Sequence, residues 1–249
     1  MKKSSLHLIT NYKRLLKYFD DGAVFCAVDT EATGIKLYEK NPESPENKIL
    51  FSRIIEIGAV KFSKNGVLST FDALINPDEK LSPFIANLTH ITDEMLAEKP
   101  NFSSTAKTFL DFIGEPASEK ESESTEEKII LVAHNAQFDI RFLNAELENC
   151  GRDKISNLAV DTLRLSRIVY QDFPSWTLQN LAAKLNIQVK SAHRADDDAR
   201  VCMELFKRCI KELRIQIQKK RQKNLFLAEE ALFGTSAPGG KDNDEIQSL

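Results

Sequence analysis

The chain has 249 residues, enough for one domain with appendages, and its composition of 42% hydrophobic and 29% charged residues excludes collagen-like, low-complexity and mostly disordered proteins. Lys and Arg number 34 against 37 Asp and Glu, which gives a formal net charge of -3 at pH 7. This balance excludes a protein that holds polyanions through its overall charge, so any contact with nucleic acid must be local.

The first predicted element is an amphipathic helix over residues 5–21, because apolar side chains recur there at every third or fourth position. Asp21 and Gly22 form a turn signal at its end. The uninterrupted apolar run 23–28 follows, which is typical of a central strand covered on both faces. Further strands are predicted at 54–62, 69–75 and 128–133.

Later segments of the chain show helical spacing of apolar residues. These segments cover residues 104–113, 138–150, 178–185 and 195 onward. Gly151 marks the expected end of the second of them, since glycine commonly follows the last turn of a helix. Strands mixed with helices on this scale predict an α/β fold.

Two polar stretches interrupt this pattern, 37–48 and 115–128, and both are predicted to be solvated loop insertions. The C-terminal arm divides by charge, because 207–223 are strongly basic and 229–249 are acidic. The last fifteen or so residues, which contain a Pro-Gly-Gly run, are predicted to be disordered.

The four cysteines contain no CxxC pair, and Cys26 lies inside an apolar run, which favours buried free thiols in a reducing cytosol. The apolar stretch at the N-terminus is too short for a signal peptide. No segment approaches the roughly 18 apolar residues that a membrane span needs. We therefore expect a cytoplasmic protein without membrane contact.

Two carboxylates follow the predicted central strand immediately, those of Asp29 and Glu31. Because side chains alternate along a strand, both leave the same face at its C-terminal end, where ligands bind in such sheets. The pair could hold a hard divalent cation. Acidic residues also end strands for ordinary turn chemistry, so the pair alone does not decide between these explanations.

A second polar cluster, residues 134–139, directly follows another apolar strand, where a helix is predicted to begin. Asp139 would lie in the first turn of that helix, where the dipole favours an anion with or without a function. His134 is explained more simply as a hydrogen-bonded structural histidine than as a ligand. Phe138 would normally be a core residue, but an aromatic ring beside a catalytic carboxylate can also stack on a nucleobase.

The third cluster, residues 191–199, places His193 just before a helix that starts with Asp196, Asp197 and Asp198. A histidine beside carboxylates suits a general base, because its unperturbed pKa of about 6.5 lets it accept a proton from water at neutral pH. The spacing alone does not choose among the three aspartates.

Together the three clusters resemble the motifs of the DEDDh family of 3′→5′ exonucleases, in the order and with the internal spacing of that family. The resemblance includes the segments 54–60, 91–95 and 177–181. It implies a ribonuclease H-like fold, with a central mixed five-stranded sheet flanked by helices. Within the family, the sequence is most similar to the proofreading exonucleases of bacterial replicative polymerases.

The resemblance also implies roles for individual residues. The metal ligands would be Asp29, Glu31, Asp139 and Asp198, which selects Asp198 from its neighbours, and His193 would be the general base. The cofactor would be two Mg²⁺ ions, for which Mn²⁺ can substitute. Substrate contacts are implied for Thr30, Thr33, Gly34, Asn135 and Phe138.

The implied domain organisation has three parts. These are an N-terminal helical extension at 1–22, an exonuclease domain at 23–212, and a basic helix extension with a disordered tail at 213–249. Two features depart from the family pattern, because His90 stands where glycine is common and both loop insertions are longer than usual.

The implied activity is hydrolysis of phosphodiester bonds at the 3′ ends of single-stranded DNA, with release of nucleoside 5′-monophosphates, as proofreading in replication requires. The main alternative is an exoribonuclease that trims RNA 3′ ends, because nothing in the motifs separates DNA from RNA. A catalytically silent nucleic-acid or replisome-binding module is disfavoured by the intact set of carboxylates and histidine.

The C-terminal arm contains a segment, 222–226, that resembles a sliding-clamp-binding peptide. Gln222, Leu225 and Phe226 would contact the clamp, and a replicative polymerase subunit is the other partner expected here. The competing explanation is that Leu225 and Phe226 only extend the apolar face of a long last helix.

Overall fold

A mixed β-sheet organises the computed structural model, which describes residues 6–40, 48–114 and 129–233. In chain order the strands are β1 (His7–Leu8), β2 (Phe25–Ala32), β3 (Tyr38–Lys40), β4 (Lys48–Leu50), β5 (Ile54–Ser63), β6 (Gly66–Leu74), β7 (Ile130–Ala133) and β8 (Leu158–Asp161). The helices are α1 (Tyr12–Asp21), α2 (Pro83–Thr89), α3 (Asp93–Leu96), α4 (Phe102–Ile113), α5 (Ala136–Asn149), α6 (Thr162–Val169), α7 (Leu178–Lys184) and α8 (Ala195–Phe233).

The main sheet has the strand order β1-β8-β7-β2-β5-β6. Strands β1, β8, β7 and β2 are parallel to one another, whereas β5 is antiparallel to both β2 and β6. The predicted α/β class with a ribonuclease H-like mixed sheet is confirmed, with six strands in place of the five expected. The additional strand is the short edge strand β1.

The N-terminal helix is shorter than predicted, because residues 7–8 pair with β8 and do not join the helix. The amide of Ile9 continues this pairing by donating to the carbonyl of Ala159 at 2.8 Å, which buries the Ile9 side chain. The helix begins only after Asn11, whose side chain accepts a hydrogen bond from the Arg14 amide. It ends at Gly22, which has a φ of 91°.

The strand β2 is covered on both faces, as its apolar run predicts. Phe25 and Ala27 belong to a core formed with α1, α6, α7 and α8. Cys26 and Val28 belong to a second core, which is formed with α4 and α5. This alternation places Asp29 and Glu31 on the face that α8 covers.

The stretch 37–48 is only partly a loop, since β3 and β4 pair there as an antiparallel ribbon. Residues 41–47, the predicted insertion 115–128 and the predicted disordered tail lie outside the described residues. The predicted boundary at 212 falls within α8, so the domain and the basic extension share one continuous helix. Among the helices of the described ranges, none has the length and hydrophobicity required to cross a bilayer.

Candidate active site

A cleft of about 610 Å³ opens where the C-terminal ends of β2 and β7 meet the N-terminus of α8. Most of the residues singled out in the sequence line it: Asp29, Thr30, Glu31, Asn135, Phe138, Asp139, His193 and Asp198. Thr33 and Gly34 lie in the loop after β2, where the Thr33 hydroxyl accepts a hydrogen bond from the Arg53 amide at 3.0 Å. The candidate clamp-binding residues lie on the distal part of α8.

Gly58 allows α8 to lie directly against the sheet. Gly58 is the residue of β5 that pairs with Asp29 of β2, so this contact lies beside Asp29. A Cβ atom at position 58 would come within 2.0 Å of the Ala195 carbonyl oxygen, at the first residue of α8. Only glycine fits this approach, which brings Asp198 into the cleft. A glycine inside a strand was the available signal in the sequence.

The loop that carries His193 is anchored by Glu56, which is fully buried and pairs with Glu31 in the strand register. The guanidinium of Arg194 donates to the Glu56 carboxylate at 3.0 Å from Nε and 2.6 Å from Nη2. The Ala195 amide donates to the same carboxylate at 2.8 Å. Sequence reasoning missed this ion pair, although a glutamate in an apolar strand predicts a buried cationic partner.

The three consecutive aspartates at the start of α8 have different environments in the structure. Asp198 lines the cleft, and its side chain accepts a hydrogen bond from the His193 amide at 3.0 Å. Asp197 holds the preceding loop, because it accepts from the amides of Lys190 and Ser191 at 2.6 and 2.8 Å. Asp196 is exposed. The geometry therefore favours the same aspartate that the family resemblance selects.

Asp139 lies in the first turn of α5 and is almost completely buried. Its carboxylate accepts hydrogen bonds from the amide and the hydroxyl of Thr30, at 3.1 and 2.9 Å. The ring of Phe138 lines the cleft and packs against Phe142 with a centroid distance of 4.6 Å. The first turn of α5 thus places a carboxylate and an aromatic ring side by side.

His134 is tethered at both ring nitrogens, as expected of a structural histidine. Nε2 lies 2.8 Å from the carbonyl oxygen of Trp176, and Nδ1 lies 3.0 Å from the Thr162 hydroxyl. Because a carbonyl only accepts, Nε2 carries the proton. Burial lowers the pKa of His134, which keeps this ring neutral.

The four carboxylic acids of the cleft have raised pKa values. Burial, followed by repulsion from neighbouring carboxylates, raises the pKa of Glu31 to about 8 and places the pKa of Asp29 well above its usual range. Burial also raises the pKa of Asp198 to about 6 and that of Asp139 above its ordinary value. A cation would remove this repulsion, so the charges favour cation binding.

The donor set fits a divalent metal ion. Glu31, His193 and Asp198 offer ligand atoms that all lie within 4.8 Å of one another. Carboxylate oxygens are the ligands that Mg²⁺ and Mn²⁺ prefer in proteins. This group of residues could therefore bind a metal.

A carboxylate cluster at this edge of a ribonuclease H-like sheet is typical of metal-dependent nucleases. The family model described as exonuclease matches residues 26–206. The chain therefore belongs to the exonuclease family, which confirms the resemblance seen in the motifs.

Similar proteins include two bacterial replication proteins. The chain is 42% identical over 184 residues to the DNA polymerase III subunit epsilon of Treponema pallidum, an alignment that covers 73% of this chain and 74% of the relative. It is 33% identical over 192 residues to the PolC-type DNA polymerase III of Listeria monocytogenes, which covers 77% of this chain but only 12% of that protein.

The fold also resembles that of solved nucleases. A 3′-exonuclease described in 3′-end-specific recognition of a histone mRNA stem-loop has a TM-score of 0.60 at 17% identity, and the match covers 77% of this chain and 83% of that one. This likeness supports the ribonuclease H-like fold.

Proposed function

We propose that the chain is a 3′→5′ exonuclease that hydrolyses single-stranded DNA 3′ ends to nucleoside 5′-monophosphates and proofreads during replication. The observation that carries this proposal is the gathering of four acidic side chains and His193 in one cleft. The similarity to the Treponema pallidum epsilon subunit, over most of both chains, supports DNA as the substrate and replication as the setting.

In this proposal, the carboxylates of Asp29, Glu31, Asp139 and Asp198 would hold two divalent metal ions. Two bound Mg²⁺ ions, or Mn²⁺ in their place, would supply activation of the attacking water and stabilisation of the leaving 3′ oxygen. His193 accepts the proton that the water loses as it attacks phosphorus. The bond from the His193 amide to Asp198 and the Glu56–Arg194 ion pair hold the histidine loop in place.

The proposed substrate contacts divide by position. Asn135 and Phe138 line the cleft directly, and the Phe138 ring offers a face to a nucleobase. Thr33 and Gly34 would meet the terminal nucleotide from the loop after β2. Thr30 contributes by positioning, because its amide and hydroxyl both donate to Asp139.

A comparison of DNA and RNA tests the proposed function. Purified protein with Mg²⁺ is expected to shorten a 5′-labelled single-stranded DNA one nucleotide at a time from its 3′ end, and to act on an RNA of the same sequence much more slowly. Denaturing gels of the two time courses give the rates, and the released product should be a nucleoside 5′-monophosphate.

The other outcomes of this comparison are equally informative. Faster trimming of RNA would replace the proofreading role with RNA 3′-end processing. A folded, metal-loaded sample that cleaves neither polymer would refute the enzymatic role altogether.

We further propose that the C-terminal part of α8 contacts a sliding clamp or a polymerase subunit, in keeping with a cytoplasmic role in replication. Among the residues of α8 whose burial is described, Leu213 is the last buried one, and Gln222 and Leu225 are exposed, Leu225 at 64%. This exposure argues against packing of Leu225 on the described part of the chain. It therefore supports a role in contacting a partner.

Replacing Leu225 and Phe226 together with alanine is expected to abolish retention of the full chain on immobilised sliding clamp from the same organism. The apolar anchors of the peptide would then be lost while the exonuclease cleft stays intact. Leu227→Ala is the matched control, because Leu227 is 51% exposed on the same helix. Undiminished retention of the double variant would contradict the clamp assignment.

A further inference from the structure

One wall of the cleft is formed by Arg167 in α6 and Trp176 in the loop before α7. None of the proposed catalytic groups belongs to this wall. Of the Lys and Arg residues in the described ranges, only Arg167 lines the cleft. Its guanidinium carbon lies 5.7 Å from the centroid of the Trp176 ring. A planar cation and a large aromatic ring therefore stand together beside a cluster of carboxylates.

Trp176 is held in place by the protein itself. Its indole N–H donates to the Tyr170 carbonyl at 3.0 Å, and its own carbonyl lies 2.8 Å from Nε2 of His134. Tyr170 in turn stacks on Phe173, with a centroid distance of 4.9 Å. These bonds already order the ring, so a ligand that stacks on it does not bear the entropic cost of immobilising the Trp176 side chain.

The wall lies on one side of the carboxylates, and the loop after β2 lies on the other. In the sheet order, β8 and β5 are on opposite sides of β2. Arg167 belongs to the helix that follows β8, whereas Thr33 bonds to Arg53, which precedes β5. A single-stranded DNA whose 3′-terminal nucleotide contacts the loop after β2 would therefore run past Arg167 and Trp176 as it leaves the cleft.

We infer that Arg167 and Trp176 form a binding subsite for the nucleotide on the 5′ side of the scissile phosphate. The base of this nucleotide stacks on the Trp176 ring, and Arg167 donates hydrogen bonds to its phosphate. The subsite tolerates any base, because every base has a π-face. Arg167 also supplies the cation that a cleft rich in carboxylates otherwise lacks for a polyanion. The inference rests on the proposed function, whose substrate it specifies.

Binding at the subsite can be measured directly by fluorescence, because Trp176 is the single tryptophan of the chain. In the His193→Asn variant with Mg²⁺, a hexathymidylate is expected to quench the indole fluorescence through stacking, whereas saturating thymidine 5′-monophosphate leaves it unchanged. Absence of quenching by bound hexathymidylate, or equal quenching by the mononucleotide, would overturn the inference. Fluorescence anisotropy of a labelled hexathymidylate confirms that the oligonucleotide is bound.

Steady-state kinetics provide a second test through two substrates. For Arg167→Gln, KM for hexathymidylate is expected to rise about tenfold with little change in kcat, as loss of a charge-assisted hydrogen bond predicts. KM for thymidine 5′-(p-nitrophenyl phosphate), which has a nucleoside only on the 3′ side of the scissile bond, should stay unchanged. Arg167→Lys should recover part of the loss, because it restores the charge.

The control for the kinetic test is Arg164→Gln, one turn earlier in α6, since Arg164 is exposed and does not line the cleft. It should leave both substrates unaffected. An equal loss on both substrates in Arg167→Gln would indicate a structural role and overturn the inference. Wild-type protein inactive on both substrates would instead refute the proposed function, and the fluorescence assay would still decide the subsite.

Discussion

Asp139→Asn is expected to reduce kcat for 3′-end hydrolysis by about a thousandfold or more, because metal-ion catalysis contributes several kcal/mol and each 1.36 kcal/mol is a factor of ten. The amide oxygen of asparagine can still accept the two hydrogen bonds from Thr30. The loss would therefore reflect the missing charge. Single-turnover rates on a labelled oligonucleotide at saturating Mg²⁺ measure it.

The same substitution is expected to stabilise the metal-free protein. Burial and repulsion raise the folded-state pKa values of Asp29 and Asp139 above the unfolded values of about 4, so the folded protein binds more protons in this range. Its stability consequently falls as pH rises from 4 through the raised pKa values. Removing one carboxylate should therefore raise the melting temperature in EDTA, and more at pH 8 than at pH 5.

The expected rise is about 3 °C, since 1 kcal/mol corresponds to roughly 2–4 °C for a domain of this size. Scanning calorimetry with EDTA and with Mg²⁺ gives both values, and the Mg²⁺-dependent stabilisation should shrink in the variant. Asp153→Asn is the matched control, because Asp153 is exposed and does not line the cleft. A variant that keeps full activity, or that is less stable without metal, would remove Asp139 from the proposed ligand set.

His193→Asn is expected to lower kcat by about 10² to 10⁴, the usual contribution of a positioned general base. Asparagine is chosen because His193 has a φ of 60°, a conformation that asparagine adopts more readily than alanine. The fold should be preserved, since the amide that bonds to Asp198 remains. Single-turnover rates on a labelled oligonucleotide at saturating Mg²⁺ measure this loss.

His193 also lies within ligand distance of Glu31 and Asp198, so the measurement must separate a base from a metal ligand. For a base, the Mg²⁺ concentration that gives half-maximal activity stays the same in the variant. If high Mg²⁺ restored the rate of His193→Asn, His193 would be a ligand and the proposed role would be wrong. His7→Ala, on the exposed edge strand, is the control.

The sequence predicted those elements of the fold whose pattern of apolar side chains extends over many residues. The apolar run of β2 and the period-two placement of Asp29 and Glu31 required only local rules. Neither β1 nor β8 was predicted, and the two residues of β1 are too few to establish a periodicity. They form because they pair with each other, and Ile9 adds a backbone hydrogen bond to Ala159.

The residues that support the site could not be predicted, because they are far apart in the sequence and close only in the folded structure. Glu56 and Arg194 are 138 positions apart and meet only because α8 crosses β5. In the same way, the structural role of His134 depends on Trp176, 42 positions later. Local motifs therefore identify the groups proposed for chemistry, and only the three-dimensional structure identifies the groups that hold them.

The helix α8 carries Asp198 near one end and Leu225 near the other. These two residues are 27 positions apart, which corresponds to about 40 Å at 1.5 Å per residue, without a break in the helix. A molecule bound near Leu225 is thus connected to the cleft by one continuous helix. The helix fixes the distance and the relative orientation of the bound molecule and the cleft. One inserted residue would turn the two ends by about 100° relative to each other, whereas seven would nearly preserve the angle and add about 10 Å. The relative orientation of cleft and partner is therefore set by the number of residues in a single helix.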